Sequence, residues 1–132
     1  MILLDTSALY ALTDTADESH ALARKGLVAA EEGGLPFVVH TYVLAEAFAL
    51  VHRRMSLRAA IRMSDELAGV DVVVVDRTLH DRGVSWLRAS PKSRVSLVDA
   101  VSFVIMAERG IEQAFAFDAD FERAGFSLFP GA

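Results

Sequence analysis

Asp5, Glu46, Asp99 and Asp118 are the residues of this chain whose types and spacing can do chemistry together. In an open parallel sheet, ligands bind beyond the carboxyl ends of the strands, so acids just after apolar runs matter most. Asp5 follows Ile2-Leu3-Leu4, Asp118 follows Ala116-Phe117, and a third aspartate, Asp76, ends the valine run at 72–75. Aspartate is also a good N-cap and turn residue, which accounts equally well for any one of them. Glu46 shares a helical stripe with Tyr42, Val43 and Leu50, an apolar face expected to pack inward, and no basic residue follows it before His52 and Arg53. Asp99 shares a stripe with Val95, Phe103 and Met106, although Ser96-Leu97-Val98-Asp99 also has the spacing of a capping box. A buried carboxylate without a cation is costly, so four such acids meet only around something positive. Oxygen-only ligands select Mg²⁺ or Mn²⁺ over zinc, and the histidines at 20, 40, 52 and 80 have no paired metal-ligand spacing.

The elements that must position these acids alternate. An apolar strand at Met1 to Leu4 leads into a helix over Thr6 to Leu12, and a second helix runs from Asp17 to Glu32. Phe37 to Val39 is a strand, Thr41 caps a helix to Arg54, and Ser56 to Leu67 is helical. Val70 to Val75 has the composition of a fully buried strand of a parallel sheet, with a helix over Thr78 to Ala89 after it. Ser96 opens a helix to Glu108 that Gly110 closes. Ala114 to Phe117 is a strand, Asp120 to Ala124 a helical turn, and Phe126 to Phe129 a last short strand. Such alternation predicts an α/β three-layer sandwich with a central, mainly parallel sheet of four to five strands.

A length of 132 residues suits one domain spanning the chain, and 53% hydrophobic residues suffice for a core without disulfides. The absence of cysteine excludes thiolate catalysis and cysteine-ligated zinc. No apolar stretch approaches the roughly 20 residues that span a bilayer, and the opening MILLDTSALYALTD lacks the pattern of a signal peptide. A cytoplasmic protein with no membrane association is the expectation. Eighteen acids against thirteen bases leave a net charge of -5, awkward for a nucleic-acid binder unless bound cations cancel part of it.

Four segments, in order and spread over the whole chain, resemble the PIN-domain family and within it the VapC-type toxins of bacterial toxin-antitoxin pairs: ILLDTSAL, TYVLAEAF, SLVDAVSFVIM and AFAFDADFERAGF. The resemblance implies a metal-dependent endoribonuclease using Mg²⁺ or Mn²⁺, with Asp5, Glu46, Asp99 and Asp118 as its catalytic and metal-binding acids and Asp120 as auxiliary. Thr6 and Ser7 follow the first acid as they do in the family; a hydroxyl there either orients the carboxylate or a water, or caps the first helix. Val98 and Ala116 stand where family members often carry hydroxyl residues. The resemblance further implies an RNA substrate, a cognate antitoxin whose tail covers the acidic groove with an arginine, and a homodimer.

RNA contacts need a basic surface. Arg53, Arg54, Arg58 and Arg62 form the densest cluster, and Arg82 and Trp86, four apart on one helix, are placed to line a groove and stack on a base. The alternatives are a catalytically silent PIN scaffold and a receiver-type phosphoacceptor domain with Asp76 as acceptor. A receiver wants paired acids after its first strand and a lysine after its last, whereas Asp5 precedes Thr6-Ser7 and no lysine follows Lys92.

Overall fold

The computed structural model describes residues 1–131. Five short strands, β1 (Ile2–Leu4), β2 (Phe37–His40), β3 (Asp71–Val73), β4 (Gln113–Phe115) and β5 (Ser127–Phe129), form one sheet in the order β3-β2-β1-β4-β5. Every pairing is parallel. Seven helices connect them: α1 (Thr6–Thr13), α2 (His20–Glu32), α3 (Thr41–Arg54), α4 (Leu57–Glu66), α5 (Arg77–Ala89), α6 (Leu97–Arg109) and the single turn α7 (Asp120–Arg123).

Side chains alternate across a strand, and here that alternation makes two cores. Ile2 and Leu4 pack with Ala8, Leu9, Val43, Val51 and Met63 beneath α1 to α4, while Leu3 points the other way into Val38, Val101, Phe103 and Met106 beneath α5 and α6. Both faces of the sheet are therefore covered, which gives the three layers expected of a parallel sheet. Close approach of α5 to α6 requires a residue without a side chain. A Cβ built on Gly83 would lie 2.7 Å from Val101 Cγ2 and 3.2 Å from Leu97 Cδ1. Gly110 ends α6 at φ 66°, the left-handed conformation a helix terminus favours. No helix among the described residues is long and apolar enough to cross a membrane.

One element departs from expectation. The Val70 to Val75 segment is not a fully buried strand: only Asp71–Val73 pairs, with β2 alone, and Val74 is 71% exposed. A run of valines reports a preference for extended backbone. Whether a strand has one neighbour or two depends on the strand order, and β3 lies at the edge.

Candidate active site

Strand order gathers the acids. The chain fills the sheet outward from β1 on one side with β2 and β3, then returns to place β4 on its other side, so a crevice opens at the carboxyl ends of β1 and β4. Asp5 and Asp118 flank it. Asp76 does not reach it: β3 is two strands from β1, about 10 Å at the usual spacing. Its carboxylate caps α5 by accepting from Leu79 N at 2.9 Å, and it lines a separate hollow with Thr78 and Arg82. The phosphoacceptor alternative is overturned by this placement.

Asp5 is buried, 4% exposed, and is itself the N-cap of α1. Its Oδ2 accepts from Ser7 Oγ at 2.6 Å and from Ser7 N at 3.2 Å. Ser7 Oγ in turn accepts from Phe117 N at 3.0 Å, tying the start of α1 to the chain leaving β4. Ser7 thus orients the carboxylate rather than capping the helix. Thr6 does not cap the helix: its buried Oγ1 has no hydrogen-bond partner among the described residues. Burial raises the Asp5 pKa, the Ser7 and Thr6 hydrogen bonds oppose that rise, and the charge of Asp118 adds to it.

Asp99 is half-buried in the first turn of α6. Ser96 caps that helix, its Oγ accepting from Asp99 N at 3.1 Å, while the Asp99 carboxylate makes no hydrogen bond among the described residues. The reciprocal half of the capping box is therefore unused and the carboxylate is free for other work. Burial first, then the charges of Asp5, Asp118, Glu46 and Asp120, push its pKa up to about 7. The acids that raise it are the rest of the quartet and the auxiliary aspartate. Oxygens of Asp99, Asp118 and Asp120 come within 4.8 Å of one another. Asp118 Oδ1 also accepts from Asp120 N at 2.9 Å, which fixes the turn carrying both.

Glu46 corrects one expectation. The buried face of α3 is Val43, Ala47 and Val51, and Glu46 is exposed along the edge of that face. It nonetheless lines the same cavity, of about 380 Å³, as Asp5, Thr6, Ser7, Leu50, Asp99 and Asp118. Position on the rim removes the cost of burial while keeping the carboxylate facing the other three.

No ion pair among the described residues neutralises the quartet. Among the described residues the ion pairs are Arg77–Asp81, Arg82–Glu108, Arg109–Asp71 and Arg123–Asp120, and none engages Asp5, Glu46, Asp99 or Asp118. An all-oxygen donor set, an unpartnered carboxylate held half-buried among like charges and an orphaned threonine hydroxyl on the cavity wall fit a hard divalent cation. Val98 and Ala116 instead pack into the two cores and supply no hydroxyl.

The basic residues divide. Arg54 lines the acidic cavity, its guanidinium 5.3 Å from the centre of the Tyr10 ring, and it is the one basic side chain there among the described residues. Arg53, Arg58 and Arg62 are exposed outside the cavity. Arg82 and Trp86 do not share a groove: Arg82 pairs with Glu108, and Trp86 packs on Phe103 at 5.1 Å beside the loop between α5 and α6. That loop, with Lys92 and Arg94, has no motif or periodicity that marks it in the sequence.

An acidic crevice at the switch point of a five-stranded parallel sheet defines an α/β protein with an acidic cluster of the kind divalent cations suit. Residues 2–127 match the model of the PIN domain, and the chain belongs to that family. It is similar to the 23S rRNA-specific endonuclease VapC20 of Mycobacterium tuberculosis, in strains CDC 1551 and H37Rv alike. Identity is 39% over 133 residues, spanning 96% of this chain and 95% of the relative. The crystal structure of VapC20, a Sarcin-Ricin loop cleaving toxin, matches with a TM-score of 0.88 at 33% identity over 96% of each chain. The family and fold expected from the four segments are borne out.

Proposed function

We propose that this protein is a divalent-metal-dependent endoribonuclease, the toxin of a toxin-antitoxin pair, which hydrolyses an RNA phosphodiester at the Asp5, Glu46, Asp99 and Asp118 site. The observation that carries this is the convergence of four carboxylates, delivered by β1, α3, α6 and the segment after β4, on one open cavity where no ion pair among the described residues engages any of them. The identity to VapC20 over nearly the full length of both chains makes the sarcin-ricin loop of 23S ribosomal RNA the first substrate to test.

Asp99, Asp118 and Asp120 would hold a cation between their clustered oxygens, with Asp5 completing the shell. When bound, Mg²⁺ or Mn²⁺ supplies a Lewis acid that lowers the pKa of a water and offsets charge on the scissile phosphate. Ser7 holds the Asp5 carboxylate in one orientation through two hydrogen bonds. Glu46, exposed on the rim and without a side-chain hydrogen bond among the described residues, is placed to accept a proton from the attacking water. Arg54, stacked on Tyr10 at the same cavity, is placed to hold a phosphate oxygen. A cognate antitoxin would silence the site by presenting a cation of its own to the unpaired acids, and a homodimer would set two such sites side by side.

The test is incubation of folded 23S ribosomal RNA fragments with purified protein in Mg²⁺, Mn²⁺ or EDTA, beside Asp5→Ala. Cuts that need both metal and Asp5 support the assignment. Cleavage retained in Asp5→Ala would refute it.

A further inference from the structure

We infer that the cleft between the α5–α6 loop and α7 is a second nucleotide-binding subsite, which stacks an unpaired base on Trp86 and holds the neighbouring phosphate with Lys92 and Arg94. This deepens the nuclease assignment and rests on it for the identity of the ligand as RNA.

The cleft has a volume of about 490 Å³, within the range of ligand-sized cavities. Its charged lining is Lys92, Arg94 and Arg123 against Asp120 alone, a local cationic excess on a chain whose net charge is -5. Arg123 donates to Asp120 Oδ1 at 2.7 Å, which leaves Lys92 and Arg94, both exposed and outside every ion pair among the described residues, for an incoming anion. Trp86 is half-buried: its ring meets Phe103 at 5.1 Å between centres, tilted by 56°, and it lines the cleft with Val95 and Ala124. An indole packed against the core and lining a cationic cleft offers a base a surface to stack on, and every base has a face to offer it. The loop is ordered by its own bonds, Ser93 N to Ser90 O at 2.9 Å and Val95 N to Ser93 Oγ at 3.2 Å, so the cations are held rather than trailing in solvent.

Position ties this cleft to the acids. Asp120 belongs both to the cleft wall and to the oxygen cluster with Asp99 and Asp118, and Val95 of the cleft adjoins Ser96 of the acidic cavity. A strand crossing the acidic site thus has the cleft as its neighbour on the Asp120 side. Single-stranded or looped RNA is favoured over duplex, because a paired base has no free face for the indole.

Trp86 is the sole tryptophan, so its fluorescence reports this cleft alone. The experiment titrates the full chain carrying Asp5→Asn, in Mg²⁺, with a short single-stranded RNA whose integrity is checked on a gel. Saturable quenching is expected. Lys92→Ser/Arg94→Ser should weaken binding on the order of tenfold and lower the salt slope by about 0.7 for each lost phosphate contact. Trp86→Phe, followed by anisotropy of labelled RNA, should weaken binding several-fold while keeping the packing on Phe103. No quenching at RNA concentrations that saturate anisotropy, or unchanged affinity in the double variant, overturns the subsite. With otherwise wild-type protein, metal-dependent cutting whose kcat/KM ignores Lys92→Ser/Arg94→Ser sinks the subsite and leaves the nuclease standing. Quenching and the tenfold loss without any cutting do the reverse.

Discussion

At the scale of single residues, Asp99 is the most informative group. Its pKa of about 7 means that, without a cation, it holds a proton across the range where ordinary aspartates are charged. A cation must displace that proton to bind. Apparent Mg²⁺ affinity, measured by calorimetry, should therefore rise by up to about tenfold per pH unit below 7 and flatten above it; a flat profile from pH 5.5 to 8 would contradict the assignment. Asp99→Asn removes a charge that its neighbours oppose. It should abolish cleavage yet raise Tm by several degrees in EDTA at pH 8, and calorimetric scans of both proteins check this. Asp99 was legible in the sequence from its apolar stripe. Glu46 was legible as to type but not placement, because a residue one step off the buried stripe looks identical in one dimension.

At the scale of elements, two contacts hold the acids in place. Ser7 bridges Asp5 and Phe117 N, so it couples α1 to the end of β4. Ser7→Ala should cost about 1–2 kcal/mol of stability in urea unfolding. It should also slow cleavage on the order of tenfold to a hundredfold, as loss of a ligand's supporting bond does. Gly83 lets α5 seat against α6, the helix that carries Asp99. Gly83→Ala gains helix propensity, but its methyl group meets Val101, a stiff, fully buried side chain. A net loss of about 1 kcal/mol is expected, and Asp99 should shift enough to weaken metal binding in the same titration.

At the scale of the whole molecule, stability depends on pH through opposing groups. His40, the last residue of β2, is fully buried and neutral: its Nδ1 accepts from Val43 N at 3.3 Å, which leaves Nε2 to donate to Ser102 Oγ at 2.8 Å. Burial lowers its pKa from 6.5 to about 4. Between these values the unfolded chain binds a proton that the folded chain refuses, so stability falls as pH drops from 6.5 to 4, by up to about 3 kcal/mol. Asp99 acts with the opposite sign. Its folded pKa lies above the ordinary 3.8, so without metal stability falls as pH rises from about 4 to 7. Urea unfolding should show the two slopes partly cancelling in EDTA. Saturating Mg²⁺ should leave the acid-side loss from His40 exposed, and His40→Asn, although less stable at every pH, should flatten that limb.

Much of this architecture needed only the sequence. Apolar periodicity located the strands and helices to within a few residues, because burial period and element type are local properties of the chain. Resemblance of four segments pointed to the family, and acid type and position after apolar runs picked out the four carboxylates that share one cavity. Strand order was another matter, being set by long-range packing of helices on both faces of the sheet. It alone decided that Asp118 lies beside Asp5 while Asp76, with the same local signature, stands at a remote edge. The same packing exposed the valine strand, freed Asp99 from its capping box, moved Arg82 away from Trp86, and brought Lys92, Arg94 and Arg123 together from two segments that show no relation in sequence.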